Sequence, residues 1–255
     1  MKYVGQGRGF PLKIYVIGPI VLDGPPPDTV DVYERAAPPG CEVEVIFLDR
    51  GPASIESEYE EVLAAPDVVA KARDAEARGA EAVVVSCILD PGVPAAREQV
   101  SIPVLGPAQV SMLVAAMLGP RFSIVTVLER LIPPLHGLVN LYGHSERLAS
   151  IRAIEVPVLD LRRNAPQVIK ALASESIQAI EEDKAYGIIL GCTALSGMGK
   201  SVQEVLRQRG YEVPVIDPTP TAIRLAAALA AAGLSHSKLA YPFPPEKRVA
   251  GYPDV

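Results

Sequence analysis

The chain has 255 residues, 49% hydrophobic and 21% charged, enough apolar sequence to fill a large core in one or two domains. A net charge of −6, with no run of Lys or Arg, argues against nucleic acid or an anionic membrane surface as partner. No apolar stretch approaches the roughly 18 residues of a membrane-spanning helix. The opening "MKYVGQGRGFPLKIYVIG" lacks the pattern of a secretory leader, and three cysteines fit free thiols in a reducing cytoplasm.

In chain order, "KIYVIG" at 13–18 is a strand, followed by a Pro-rich loop through 25–27. "CEVEVIFL" at 41–48 alternates and is a second strand. Two helical stretches follow: one from Ser57, which with Glu60 has the spacing of a capping box, and one over 67–78. "EAVVVSC" is the third strand and "IPVLG" at 102–106 the fourth, with a helix between them. A helix over 108–118 ends at Gly119-Pro120. Then the series restarts. Strand 122–127, a helix around 130–142, strand 150–156, a long helix over 166–183, strand "YGIILGC", helix 198–209 and strand 213–217 follow in turn. Helix 219–232 closes the core ahead of a polar, Pro-rich tail.

The restart predicts an α/β fold of two pseudo-symmetric, flavodoxin-like units, each a four-stranded parallel sheet flanked by helices. The first domain is 11–118 plus 218–255 and the second is 119–217. The final helix is expected to fold back on the first unit, because a parallel sheet needs cover on both faces. Ligands of such sheets bind at the carboxyl ends of strands. "VVVSCILDPG" at 83–92 and "GIILGCTALSG" at 187–197 each bring a cysteine there, so Cys87 and Cys192 are expected to face each other across the cleft between the units. Cys41, at the start of the second strand, reads as a packing residue.

Two opposed thiols admit several chemistries. Nothing resembles Cys-x-x-Cys, none of the three histidines stands at a ligand spacing from a cysteine, and neither motif carries a His neighbour for a nucleophile pair. Proton transfer at a carbon centre remains, one thiolate removing the proton from one face while the other thiol donates from the opposite face. Each cysteine is read as starting a helix, whose N–H groups and dipole are expected to lower its pKa from roughly 8.5 toward neutrality. The N–H groups following each Cys are expected to hold the developing enolate.

Three stretches carry a resemblance: "GPASIESEYEEVLAAP" at 51–66, "SCILDPGVPAAREQVSIPVLGPAQVSMLVAAMLGPRFSIVT" at 86–126, and "LGCTALSGM" at 190–198. In these the chain resembles the cofactor-independent aspartate/glutamate/hydantoin racemase superfamily, and within it the hydantoin and allantoin racemase branch. The resemblance implies Cys87 and Cys192 as catalytic residues, alternating as acid and base, with no cofactor and no metal. The setting expected with it is a cytoplasmic homo-oligomer acting on a small molecule.

Around the thiols, Pro19, Ile20, Ser86, Ile88, Thr126, Val127, Gly191 and Thr193 are the candidate substrate-binding residues. Asp90 reads as shaping its Asp-Pro-Gly turn, Asp217 as the cap of the last helix, and Glu58 and the run 181–183 as solvated helix faces. Two departures bear on substrate. Glutamate racemases follow the second Cys with Thr-His, where this chain has Thr193-Ala194. The hydantoin branch carries an Asn-Pro-Asn-Thr type loop after its first strand, where this chain has Gly18-Pro19-Ile20-Val21. The function expected is a racemase of a 5-substituted hydantoin or related carbon acid, with a substituent more apolar than that of allantoin. The alternatives are a decarboxylase or cis–trans isomerase of a small malonate- or maleate-like acid, an aspartate/glutamate-type amino-acid racemase, and a binding protein with inert thiols.

Overall fold

The computed structural model describes residues 11–25, 27–245 and 247. Residues 1–10 of the opening read for a leader, Pro26 of the proline loop, and 246 and 248–255 of the tail assigned to the first domain lie outside the described residues.

Among the described residues the strands form two four-stranded parallel sheets. The first contains β1 (Leu12–Gly18), β2 (Cys41–Phe47), β3 (Ala82–Val85) and β4 (Val104–Leu105), in the order β2-β1-β3-β4. The second contains β5 (Phe122–Thr126), β6 (Leu148–Ala153), β7 (Ile188–Leu190) and β8 (Val215–Ile216), in the order β6-β5-β7-β8. One order is used twice, as the repeated pattern predicts.

Alternation along the strands sorts the first sheet into two cores. Ile14, Val16, Ala82 and Val84 face α8 (Pro218–Ala231), which brings Ala222, Ile223, Ala226 and Ala227 against them. Short alanine side chains let this helix lie close to the sheet. Tyr15, Ile17, Val83 and Val85 face the other way, into a core that holds α2 (Glu58–Ala77) and α3 (Val93–Gln99) and runs on through Phe122, Ile124, Ile188 and Leu190. The two sheets thus share one continuous apolar core, with α4 (Pro107–Leu118) leading from the first sheet to the second. The second sheet is covered by α5 (Ile132–Leu141), α6 (Ala165–Glu181) and α7 (Gly199–Gln208).

Three elements differ from expectation. The two helical stretches after Ser57 are one helix, α2, which passes through Pro66. A mid-helix proline costs about 3 kcal/mol, offset here by Ala64, Val68, Ala72 and Ala75, which are wholly buried along one face. The capping box forms in part: the Glu60 N–H donates to Ser57 Oγ at 3.3 Å, while the Glu60 carboxylate accepts from the Glu56 N–H rather than from that of Ser57. The loop after β1 contains α1 (Thr29–Ala36), and β6 ends before Glu155, whose φ of +54° turns the chain out of the extended state.

Candidate active site

In the order β2-β1-β3-β4 the chain reverses direction across the sheet between β1 and β3, the crevice at which such sheets bind ligands. The equivalent crevice of the second sheet lies between β5 and β7. Past β3, the Ser86 N–H donates to Ile17 O at 2.7 Å; past β7, the Gly191 N–H donates to Val125 O at the same distance. The residue after each is the cysteine. Cys87 and Cys192 therefore occupy equivalent strand ends, and both line one cavity of about 250 Å³. Pro19, Ile20, Ser86, Ile88, Gly191 and Thr193 line it with them.

Thr126 and Val127 do not. Both are completely buried, because the chain beyond β6 continues alongside them: the Ile154 and Val156 N–H groups donate to Thr126 O and Val127 O. The Thr126 hydroxyl donates to Gly191 O at 2.9 Å, so it supports the Cys192 turn from behind. In place of the β5 end, the second unit offers the cavity a short 3-10 turn over Val158–Asp160, with Val158, Leu159 and Arg162 in the lining.

The hydroxyls expected to hold substrate are largely engaged with each other. Thr193 Oγ1 donates to Ser86 O at 2.9 Å and ties the two cysteine turns directly. Ser86 Oγ donates to the Tyr33 hydroxyl at 2.9 Å and lies 3.0 Å from Thr219 Oγ1; the Tyr33 hydroxyl donates to Thr193 O at 3.2 Å. Thr29 and Tyr33 reach the lining from α1, and Phe47 from the end of β2. Sequence reading missed these residues together with Leu131, Val158, Leu159 and Arg162. A signal existed for α1, since Thr29, Tyr33 and Ala36 have helical spacing, but one threonine and two apolar residues beside prolines are a short stripe.

The carboxylates have structural partners. Asp90, at φ +52°, accepts from the Ala108 and Gln109 N–H groups at the start of α4 and from the Tyr142 hydroxyl at 2.8 Å. It caps a distant helix, not only its own turn, and burial pushes its carboxyl up to about 6. Asp217 makes no side-chain cap on α8; its carboxylate accepts from the Ser196 hydroxyl and the Gly197 N–H, both at 2.7 Å, and so fastens the far end of the Cys192 turn. The run 181–183 is not merely solvated: Arg152 donates to Glu182 and Asp183, each at 2.7 Å. Cys41 begins β2 and packs against the α8 side of the sheet.

The thiols themselves depart from expectation in one respect. Cys87 is followed by a turn, with α3 starting only at Val93, and Cys192 precedes a 3-10 turn over Thr193–Leu195. Neither heads a long helix, and both residues are less than a tenth exposed. Burial pushes the Cys192 thiol up to about 11 against the N–H groups of Ala194 and Leu195, which favour its thiolate. Burial pushes Cys87 up further, against the Leu89 N–H alone. Desolvation outweighs the turn dipoles here.

Comparison with known proteins accords with this geometry. Residues 30–226, well over half the chain, match the family model described as Asp/Glu/Hydantoin racemase. A hydantoin racemase of Pseudomonas sp. (strain NS671) is 36% identical over 241 residues, covering 94% of this chain and 95% of the relative. A hydantoin racemase of Rhizobium meliloti is 38% identical over 202 residues, 79% of this chain and 82% of its own. Among solved structures, allantoin racemase from Klebsiella pneumoniae superposes with a TM-score of 0.86 at 32% identity, over 94% of this chain and 96% of that one. The fold is thus that of a racemase, two parallel α/β sheets with their strand ends turned to one cavity, and the chain belongs to the Asp/Glu/hydantoin racemase family as an enzyme of the isomerase class.

Proposed function

We propose that this chain is a cofactor-independent racemase of 5-substituted hydantoins with an apolar substituent, and that Cys87 and Cys192 serve as acid and base in turn. The observation that carries the reading is the pair of thiols at equivalent strand ends, lining one cavity whose walls are mostly apolar. One cysteine, as thiolate, takes the proton from C5; electron density moves onto the adjacent carbonyl as an enolate; the other cysteine gives its proton to the opposite face. The enantiomer leaves with the two protonation states exchanged, and the reverse reaction restores them. Burial makes each thiolate scarcer and also a stronger base, which suits a carbon acid.

The charge of the lining supports a neutral ring. Arg162 is the one charged side chain among the described lining residues, and no carboxylate stands there to meet the ammonium of a free amino acid. Ile20 lines the cavity where the hydantoin branch carries an amide, so a polar substituent beside it would lose a hydrogen bond, at a cost of about 1–3 kcal/mol. The division into domains 11–118 plus 218–255 and 119–217 belongs to the same reading, supported by the packing of α8 on the first sheet. A homo-oligomer is supported by the exposed Leu113, Met117 and Leu118 of α4 and Leu141 of α5. The cytoplasm is where such thiols stay reduced; among the described residues no helix is long and apolar enough to cross a membrane.

The test is to incubate each enantiomer of 5-benzylhydantoin with the enzyme in D₂O, following optical rotation and deuterium at C5. Both enantiomers should lose rotation and gain one deuterium. Retained rotation with no deuterium in either would refute the reading.

A further inference from the structure

Gly18 and Phe47 are paired residues at the carboxyl ends of β1 and β2, and both line the cavity. Gly18 is the last residue of an extended strand, so its backbone does not itself require glycine. What requires it is the Phe47 ring. A Cβ placed on Gly18 would stand 2.6 Å from Phe47 Cε1 and 2.7 Å from Cδ1, well inside contact distance. The ring occupies the volume that any side chain at position 18 would fill. The cavity wall at this point is consequently supplied by the second strand as an aromatic surface, and not by the first strand.

We propose that Phe47, seated on Gly18, determines substituent preference: it forms an aromatic wall against which a flat aromatic group on the substrate packs, and Gly18 holds that wall in place by having no side chain. This rests on the hydantoin reading above and names the part of the substrate that reading leaves open. Ile20 and Ile55 also line the cavity and add branched aliphatic surface, so an arylmethyl substituent has both aromatic and aliphatic surface to pack on. A methyl substituent reaches neither. Aromatic pairs gain beyond simple area burial, enough for about tenfold in selectivity.

The experiment compares kcat/KM for 5-benzylhydantoin with that for 5-methylhydantoin in the wild type and in Phe47→Ala, Gly18→Ala and the double variant, each first checked for folding by circular dichroism and thermal midpoint. Phe47→Ala should lower the benzyl-to-methyl ratio about tenfold. Gly18→Ala should lower it comparably, because the new methyl displaces the ring. In the double variant Gly18→Ala should add little, since the ring it displaces is already gone. A ratio unmoved by Phe47→Ala would overturn the proposal, and so would a Gly18→Ala effect that persists undiminished without the ring. Should Gly18→Ala fail to fold, Phe47→Ala decides alone. Calorimetric Kd values for the two hydantoins give the same comparison independently of turnover. A wild type that binds benzylhydantoin more tightly but racemises neither compound would break the function reading while leaving the wall intact.

Discussion

Cys87 and Cys192 occupy equivalent ends of equivalent strands, yet the turns that follow them are built differently. The Cys192 turn places two N–H groups, of Ala194 and Leu195, near its sulfur, with the Glu56 carboxylate and the Arg162 guanidinium acting on it in opposite directions. The Cys87 turn offers the Leu89 N–H, and the Cys192 thiolate and the carboxylates of Asp90 and Glu61 act against its ionisation. Exposure is nearly equal, 9% for Cys87 and 8% for Cys192; what differs between the turns is the number of N–H groups at the sulfur and the charges around it. The repeat in the fold fixes where the thiols stand. It leaves their acidities free to diverge, which the proposed exchange of acid and base roles can use.

The sharpest way to break that comparison is to remove either thiol. Cys87→Ser and Cys192→Ser should each lower racemisation about a thousandfold or more, because a hydroxyl ionises far less readily than a thiol. Circular dichroism should be unchanged in both. Each variant should still show one-sided deuterium exchange, which the remaining thiolate can perform on one enantiomer. Racemisation near the wild-type rate in both variants would end the two-thiol account.

A second measurement ranks the acidities. In a Cys41→Ser background, iodoacetamide should alkylate Cys192 at least about tenfold faster than Cys87 at pH 8, read by peptide mass spectrometry, since the thiolate is the reacting form and access is similar. Equal rates would mean that the charge difference between the turns has no effect on ionisation. Stability carries the same signature. A thiol whose pKa is raised by folding, as Cys192 is to about 11 from an ordinary 9.0, stays neutral in the folded chain while the unfolded chain ionises. Its contribution is therefore complete below pH 9 and is lost as pH rises from there toward 11, by about 1.4 kcal/mol per pH unit. Urea midpoints between pH 8 and 10.5 should fall, and fall less in Cys192→Ser.

Much of this was legible in the sequence. Uninterrupted apolar runs such as Ala82–Val85 and Ile188–Leu190 read as buried parallel strands because every one of their side chains is covered, and their repetition gave both the topology and the position of the thiols. What eluded sequence reading depends on contacts between distant segments. Tyr33 and Phe47 enter the cavity from elements whose own patterns are short or mixed. Thr126 looks equivalent to a strand-end residue at the cavity, and is excluded only because the chain after β6 covers it. The thiol acidities were misjudged in direction, because burial is a property of the assembled core and outweighs the dipole of a single turn.

The residues preceding the two cysteines carry the comparison one step back. Ser86 has room for a side chain that joins Tyr33 and Thr219, whereas a Cβ on Gly191 would lie 2.7 Å from Thr126 Cα and Cβ and 2.9 Å from Ile124 Cγ2. Main-chain atoms cannot yield as a side chain can. Gly191→Ser should therefore destabilise by about 3 kcal/mol, and Ser86→Gly by about 1–2 kcal/mol, the worth of buried hydrogen bonds lost with added chain freedom. Urea denaturation decides between them; equal costs would mean that the β5 end is as open as the β1 end.

The smallest effect tests the tie between the two turns. The Tyr33 hydroxyl is fully buried, and burial raises its pKa, so it stays protonated and can donate to Thr193 O. That bond is long, at 3.2 Å, and Ser86 keeps Thr219 as a partner when the hydroxyl is removed. Thr193 still bonds Ser86 O through its own hydroxyl, which holds the cysteine turns together. Tyr33→Phe should thus cost about 1 kcal/mol in stability, and kcat/KM for 5-benzylhydantoin should fall by no more than about threefold. A loss approaching that of the cysteine variants, with stability little changed, would show instead that the hydroxyl turns from Thr193 to the substrate during the reaction, and that α1 contributes to the chemistry as well as to the wall.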